Sequence, residues 1–395
     1  MIDTSVPALV VHRGGYADVA VARTLGRLGV PVYLVAQEGA SMAVWSSRYW
    51  TKRTRWDFSR SEEESVAFLR DIGARLRAIH GSRPILLTLG DWVAIFIERH
   101  GDNLQAEFCF PRPVRPILRA LLNKWEMHLL AEQHGIPTPL TARPASLEDV
   151  ETFGQSARFP VVMKAADKYD GDAPASQILH SEQELIDEVS RYGQAANSLN
   201  IILQEFIPGG VDTVWMCNGY LGADPGRVVI YTGKKLRQVS ATGIASLAIC
   251  LPNEIVATQT QRFMEGVGYR GCVGIGYRYD DRDGLYKLLD VNARVSGVFR
   301  LFAGTNEMDV VRVCYLDLTG QDVPVTALQP GRKWMLEDDV IAAMKALRHG
   351  RLSIGDWMES VRGVRELHWS AADDPAPIFG RVGDGLRRAW LRKMR

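Results

Sequence analysis

The chain predicts a mixed α/β and α+β architecture: an open, mainly parallel α/β unit, then a strand-dominated middle, then a small helical end. Three observations carry this. The stretch "PALVVHRGGYADVAVARTLGRLGVPVYLVA" reads as a buried strand, a glycine turn, an amphipathic helix and a second strand, which is one βαβ unit. Beyond Pro139, β-rich runs dominate: "FPVVMKAAD", "NIILQEFIPGG", "RVVIYTGKKLRQ", "CVGIGYRYDD" and "LYKLLDVNAR". From about Gly331 the chain is rich in Trp and Arg and reads as helical. At 395 residues it is too long for one hydrophobic core.

Taken in order, Gly14 and Gly15 permit a tight strand-to-helix turn, but the full G-x-G-x-x-G is missing. A plain βα turn is the expectation over a dinucleotide site. Glu62 to His80 reads as a helix and "PILLTLGDW" as the next strand, whose carboxyl end carries Thr88, Gly90 and Asp91. Open α/β sheets place ligand contacts at such ends. The run "FPRPVRP" at 110–116 punctuates the chain as a boundary. A helix follows through Asn123–Gln133, closed by Gly135 with Pro137 and Pro139 beyond. Ser181 followed by Glu184 is a capping signature for the helix between the first two later strands.

A net charge of +1 leaves no global field to recruit nucleic acid or membrane, so either partner would need a local patch. One such patch is "GRVGDGLRRAWLRKMR" at the end, with Val382, Leu386, Trp390 and Met394 on one helical face. Arg387, Arg388, Arg392 and Lys393 flank it. A basic amphipathic helix can lie on an anionic membrane, yet the expectation is that this stripe docks on its own domain. The five cysteines are scattered and form no C-x-x-C pair, which points to neither a disulfide framework nor a zinc site. The run Val6 to Val11 is too short for a signal segment or a membrane span, so the protein reads as cytoplasmic. The tryptophans of the last third mark a candidate homo-oligomer interface.

Four features in order carry the chemistry. Lys124 opens a helix, and forty residues later Lys164 ends the strand "FPVVMK". Two lysines on one triphosphate would neutralise it and hold it in line for transfer, whereas either alone is an ordinary surface charge. Third, "LQEFIPGGVD" joins an apolar strand, Glu205, a Pro-Gly-Gly turn and Asp212. Its backbone can present alternating N–H and C=O groups to adenine, with Asp212 on the ribose; a strand leaving its sheet through a capped turn is the alternative. Fourth, "YKLLDVNAR" places Asp290, Asn292 and Arg294 at period two, with Leu289, Val291 and Ala293 on the opposite face. Oxygen ligands on one face suit Mg²⁺ completed by phosphate oxygens, and Arg294 can clamp a phosphate. A solvated polar face shared with Lys287 is the alternative.

The order "NK…LAEQHGIPTP", "FPVVMK", "QEFIPGG…D", "RDGLYKLLDVNAR" resembles the ATP-grasp superfamily, and within it carboxylate–amine ligases of the D-aspartate ligase type. With "VARTLGRLGVPVYLV…SSRYW", which is similar to their pre-ATP-grasp domain, the resemblance covers roughly residues 7–325. It implies a pre-ATP-grasp α/β domain at 1–112 and a linker helix with the small, lid-like lobe at 113–205. A large lobe with the metal site then spans 206–330, and a helical segment 331–395. It further implies that Lys124 and Lys164 contact the phosphates of ATP. Gln204, Glu205 and the Phe206–Ile207 backbone would read adenine, and Asp212 would hold the ribose. Asp290 and Asn292 would bind Mg²⁺ (or Mn²⁺), and Arg294 would stabilise the transferred phosphoryl group. Two departures stand out: the position aligned with a further acidic metal ligand is Gly276, and the metal-strand acid is Asp290 rather than the longer Glu. Asp280 from a shifted register is one remedy.

The implied reaction couples a carboxylate and an amine through an acyl phosphate, releasing ADP and phosphate. Lys235 and Arg237 on the strand "KKLR", and Arg300 in "GVFRLF", are candidate carboxylate receptors; a solvated edge strand is the alternative for the former. Other readings are an ATP-grasp phosphotransferase or carboxylase-like component, a nucleotide-binding regulatory protein without turnover, and a membrane-surface protein using the C-terminal helix.

Overall fold

A computed structural model of the chain describes residues 2–13, 17–169, 173–193, 199–239 and 243–393. The expected turn glycines Gly14 and Gly15 lie outside these residues, as does Met394 of the C-terminal stripe. Strands β1 (Ala8–His12), β2 (Val32–Gln37), β3 (Trp50–Trp56) and β4 (Ile85–Thr88) form a parallel sheet in the order β3-β2-β1-β4. β1 reads as an unbroken apolar run because both faces are covered. Ala8 and Val10 join one core cluster, and Leu9 and Val11 another. The helix Glu62–His80 on this sheet starts at a capping box between Ser61 and Glu64 and ends at Gly81, whose φ of 73° is the left-handed C-cap.

A second, antiparallel sheet contains β5 (Thr141–Ala142), β6 (Val161–Ala165), β7 (Gln177–Leu179) and β8 (Ile201–Glu205), ordered β5-β8-β6-β7. Its one covered face packs Val161, Met163, Ile201 and Leu203 against Val150, Leu185 and Val189 from the helices Leu147–Ser156 and Glu182–Gly193. The alternate residues of β6 and β8 therefore point the other way.

The third sheet has seven strands: β9 (Val214–Leu221), β10 (Val228–Gln238), β11 (Ala245–Cys250), β12 (Gly271–Asp280), β13 (Leu285–Asn292), β14 (Lys333–Met335) and β15 (Val364–Leu367). Its order is β13-β12-β9-β10-β11-β14-β15, antiparallel except for the parallel pair β14 and β15. The end of the chain, read as helical, thus also extends this sheet by two strands. Trp334 and Leu336 explain the difference, since they bury themselves in the core that runs beneath it.

That core is continuous with the N-terminal sheet. Ala8, Val10 and Leu34 share one cluster with Met216, Tyr220 and Trp334. Between them runs the helix Val310–Leu318, whose Val310, Val311, Val313 and Cys314 are all buried. Among the described residues, no helix is long and apolar enough to cross a membrane.

Candidate active site

The uncovered face of the small sheet looks onto the large sheet across a cavity of about 560 Å³. In β6, Val161, Met163 and Ala165 are buried in the core, so Val162 and Lys164 face the cavity. Lys164 Nζ donates to Gln204 Oε1 at 2.6 Å, and Gln204 Nε2 donates to Thr141 Oγ1 at 2.9 Å. Lys124 comes from a different element. Asn123 caps its helix, accepting from the N–H groups of Trp125 and Glu126 at 3.0 and 3.1 Å. The backbone N–H of Lys124 then donates to Ala166 O at 2.8 Å, which pins the helix start to the end of β6. Two lysines forty residues apart are thereby brought to one wall.

From the large sheet come Lys235 of β10 and Asp290 and Asn292 of β13, with Arg294 just beyond. Arg294 Nε donates to Asp91 Oδ1 at 2.6 Å, and Arg294 Nη2 to Asn292 Oδ1 at 3.0 Å. Asn292 Nδ2 donates in turn to Asp290 Oδ2 at 3.0 Å. This relay ties the Asp290–Arg294 segment to the N-terminal sheet, because Asp91 sits where β4 gives way to the helix Asp91–Leu104.

The electrostatics are lopsided. Asp290 is held below its ordinary pKa: burial would raise it, but the charges of Lys124, Lys235, Lys164 and Lys168 outweigh burial. Lys164 is pushed down to about 7 by burial and by Lys124, with Asp290 only partly compensating. Lys124 and Lys235 are lowered too, first by burial. Four lysines around one carboxylate leave an excess of cationic groups in a half-buried cavity, a field that favours an anion.

Gly276 pairs directly with Asp290 across β12 and β13. A Cβ at Gly276 would collide with Asp290 Oδ1, and one at Gly274 would lie 2.8 Å from Ser296 Cβ. The carboxylate of Asp290 thus occupies the space that a side chain at Gly276 would need. Asp280 does not substitute; it is fully buried and accepts from Lys287 Nζ at 2.7 Å and from Arg282. As donors for a magnesium ion, Asp290 and Asn292 fit an ion carried in on phosphates, which supply the rest of its shell. Among the described residues, no group of three His, Cys, Asp or Glu could hold a metal unaided.

Several expectations need correction. Leu289 was expected opposite Asp290, yet both line the cavity. A register shift places Leu288 opposite Tyr277 and Asp290 opposite Gly276, so a bulge breaks the alternation. Lys287 shares the face of Asp290, because the bulge sets it opposite Arg278 as Asp290 stands opposite Gly276, but it is buried rather than solvated: its Nζ donates to Glu205 Oε1 at 2.9 Å and to Asp280. Arg237 and Arg300 are not among the lining residues. Arg237 forks onto Asp339 at 2.7 and 3.0 Å, and Arg300 donates to Asp309 at 2.6 Å and Glu366 at 3.2 Å. Glu205 lines the cavity, but its carboxylate accepts from Leu140 N, Lys287 and Arg282 at 3.0, 2.9 and 2.7 Å. Asp212 is exposed, off the cavity wall, and its charge acts on Arg278. Phe206 and Ile207 do line the cavity, the former beneath the Arg278 guanidinium at 5.6 Å.

Sequence reading passed over Lys168 and Arg278. Lys168 lies in a loop with no periodicity to flag it. Arg278 had a signal: Gly274, Gly276 and Arg278 alternate on β12, and paired glycines in a strand mark the close approach of another group.

A parallel N-terminal sheet, a small antiparallel lobe and a large, mainly antiparallel sheet, with lysines of the small lobe facing Asp290 and Asn292 across a cavity, make up the ATP-grasp fold. No protein-family model matches the chain. It is 26% identical over 243 residues to a D-aspartate ligase of Enterococcus faecium, covering 58% of this chain and 57% of that one. The likeness therefore spans little more than half of that relative. Among solved structures, the L-amino acid ligase from Bacillus licheniformis superposes with a TM-score of 0.60 at 15% identity, over 83% of this chain and 78% of that one. The N5-carboxyaminoimidazole synthetase from Staphylococcus aureus complexed with ADP gives 0.63 at 11% identity, over 87% and 86%.

Proposed function

We propose that the protein is an ATP-dependent carboxylate–amine ligase that forms an amide through an acyl phosphate. The observation that carries this is the cluster of Lys124, Lys164, Lys168 and Lys235 around Asp290, set between two sheets. A triphosphate with magnesium supplies the negative charge that this cavity lacks. The likeness to a D-aspartate ligase supports the choice of reaction. ATP as reactant places the reaction in the cytoplasm.

On this reading residues 113–205 form the lid over the phosphates and 206–330 the floor. Lys124 and Lys164 neutralise the phosphates, and the backbone at Phe206 and Ile207 meets adenine beside Gln204. Glu205 serves as a brace for that segment, because its oxygens are already engaged. Asp212 is the ribose partner if the segment 209–213 closes inward. Asp290 and Asn292 would hold magnesium, which supplies charge neutralisation at the transferred phosphoryl group. Lys235 receives the substrate carboxylate. The carboxylate oxygen bonds to the γ-phosphorus as the β–γ bridge breaks and ADP leaves. The amine then attacks the acyl carbon, phosphate departs and the nitrogen loses a proton. Arg294, held by Asp91, steadies the phosphoryl charge. Homo-oligomerisation belongs to the same proposal and is checked by light scattering.

The test is incubation with ATP, Mg²⁺ and pools of carboxylates and amines, with Lys164→Ala as control. ADP formation that requires both substrates, and is lost in the control, supports the ligase; AMP and pyrophosphate would overturn it. Gly276 favours one rival, a nucleotide-binding protein without turnover, since it leaves a single carboxylate at the metal strand. Tight ATP binding with no product across broad pools would select that rival.

A further inference from the structure

The C-terminal helix Ala376–Lys393 is docked the opposite way round from an ordinary surface helix. Its small and polar face meets the short helix Met42–Ser46. A Cβ on Gly380 would lie 2.6 Å from Ala43 N, so only glycine permits this approach. Asp384 Oδ2 accepts from Met42 N at 3.0 Å and from Ser41 Oγ, and Arg381 donates to Asp338 Oδ2 at 2.8 Å. The apolar face points outward instead. Phe379, Val382, Leu386 and Trp390, which recur at three- and four-residue steps, are 73, 53, 68 and 60% exposed. This overturns the expectation that the stripe docks on its own domain. Met42, 56% exposed, extends the patch on the helix beneath.

We propose that this face is a docking surface for an anionic lipid bilayer, on which the helix lies in the interfacial plane. Charge complementarity selects the partner. From Arg387 to Arg395 the sequence holds five cations and no carboxylate, while Arg381 is taken up by Asp338 and Asp384 turns inward onto Ser41 and Met42. The edge strand β3 adds exposed Arg53 and Arg55, two residues apart on one face. Arg53 donates to Ser47 O at 2.6 Å, and Arg55 stands 5.5 Å from the Trp45 ring, both beside the helix that carries the docked one. Acyl chains take the apolar stripe, Trp390 sits at the headgroup boundary, and phosphates meet the arginines. A second copy of the chain suits the patch badly, because two-fold packing would set these cations against themselves. The helix lies on the membrane and does not span it.

The experiment is flotation of the intact protein with vesicles of phosphatidylcholine alone or mixed with phosphatidylglycerol, at low and high salt. The mixed vesicles should carry the protein upward and the zwitterionic ones should not, with release at high salt. Leu386→Glu with Trp390→Glu should weaken the partition about tenfold or more, with an unchanged melting temperature because both side chains are exposed. A chain ending at residue 385 is the second variant and should also stay unbound. Equal binding to both vesicle types, no binding, or wild-type binding by both variants overturns the proposal. So does a concentration-dependent dimer that the double substitution abolishes, since the stripe would then be a self-association face.

Discussion

Lys164 illustrates how a buried cation strains the protein that carries it. Burial and the neighbouring Lys124 hold its pKa near 7 before any anion arrives. Under the proposed function a phosphate meets Lys164 and favours its charged form, so above pH 7 nucleotide binding should take up a proton. Affinity for ATP should fall as pH rises from 7 to 9, by up to about tenfold per unit. Calorimetry in buffers of different ionisation enthalpy would detect the proton, and Lys164→Arg should flatten the dependence because arginine stays charged. The same depression means that the unfolded chain holds more protons between about pH 7 and the usual lysine range, so stability of the free protein rises with pH there. Replacing the charge, as in Lys164→Met, should stabilise the free protein at pH 7 by about 1–2 kcal/mol while weakening nucleotide binding. A melting curve with and without ATP separates the two effects. At Gly276 the constraint is steric. Gly276→Ala drives a methyl group into Asp290, and turnover should be lost at a cost of about 1–3 kcal/mol in folding, measured by urea denaturation.

Among the elements, the junction between β8 and the β12–β13 hairpin decides how the lobes meet. Glu205 ends the small sheet's β8 and accepts from Lys287 of β13 and Arg282 of the hairpin turn. Its carboxyl lies below the usual range: burial would raise it, but the Leu140 N–H, Lys287 and Arg282 outweigh burial. A depressed carboxyl stabilises the fold above its unfolded pKa, and that contribution is lost as pH falls through the folded value. Glu205→Ala should cost about 1–3 kcal/mol at pH 7 and progressively less in acid, where wild type has lost the same interaction. Urea titrations at pH 7 and pH 4 would show the difference shrink. Lys287 keeps Asp280 and Asp283 as partners in the variant, which holds the cost below that of a stranded buried charge.

For the whole molecule, the N-terminal sheet and the large sheet behave as one body because they share a core and a buried ion network. Arg300 and Arg312 reach from the large-sheet side to Thr24 on the helix Asp18–Gly26, with Asp309 and Glu366 completing the set. Arg300→Met would leave Asp309 and Glu366 short of a buried partner and should cost about 3–5 kcal/mol. Because Arg300 is off the cavity wall, KM for either substrate should stay unchanged in the folded fraction. A raised KM with unaltered stability would restore its role as a carboxylate receptor.

What the sequence by itself determined is local. The continuous apolar run of β1 announces a strand covered on both faces, the Asn123 cap announces the helix that Lys124 opens, and alternation in "VVMKA" announces that Lys164 leaves the core face. Each follows from neighbours within about four residues, the range over which helix and strand periodicities act. Tertiary structure alone decided partners. Arg237 and Arg300 look in sequence like free cations near a site, but their counter-ions Asp339 and Glu366 lie far along the chain. The bulge that turns Leu289 toward the cavity answers to pairing with β12, which no pattern within β13 encodes. The C-terminal stripe reads identically whether it faces the core or the solvent. Only the fit of Gly380 against Ala43 settles that, because a helix chooses its buried face by the surface it meets.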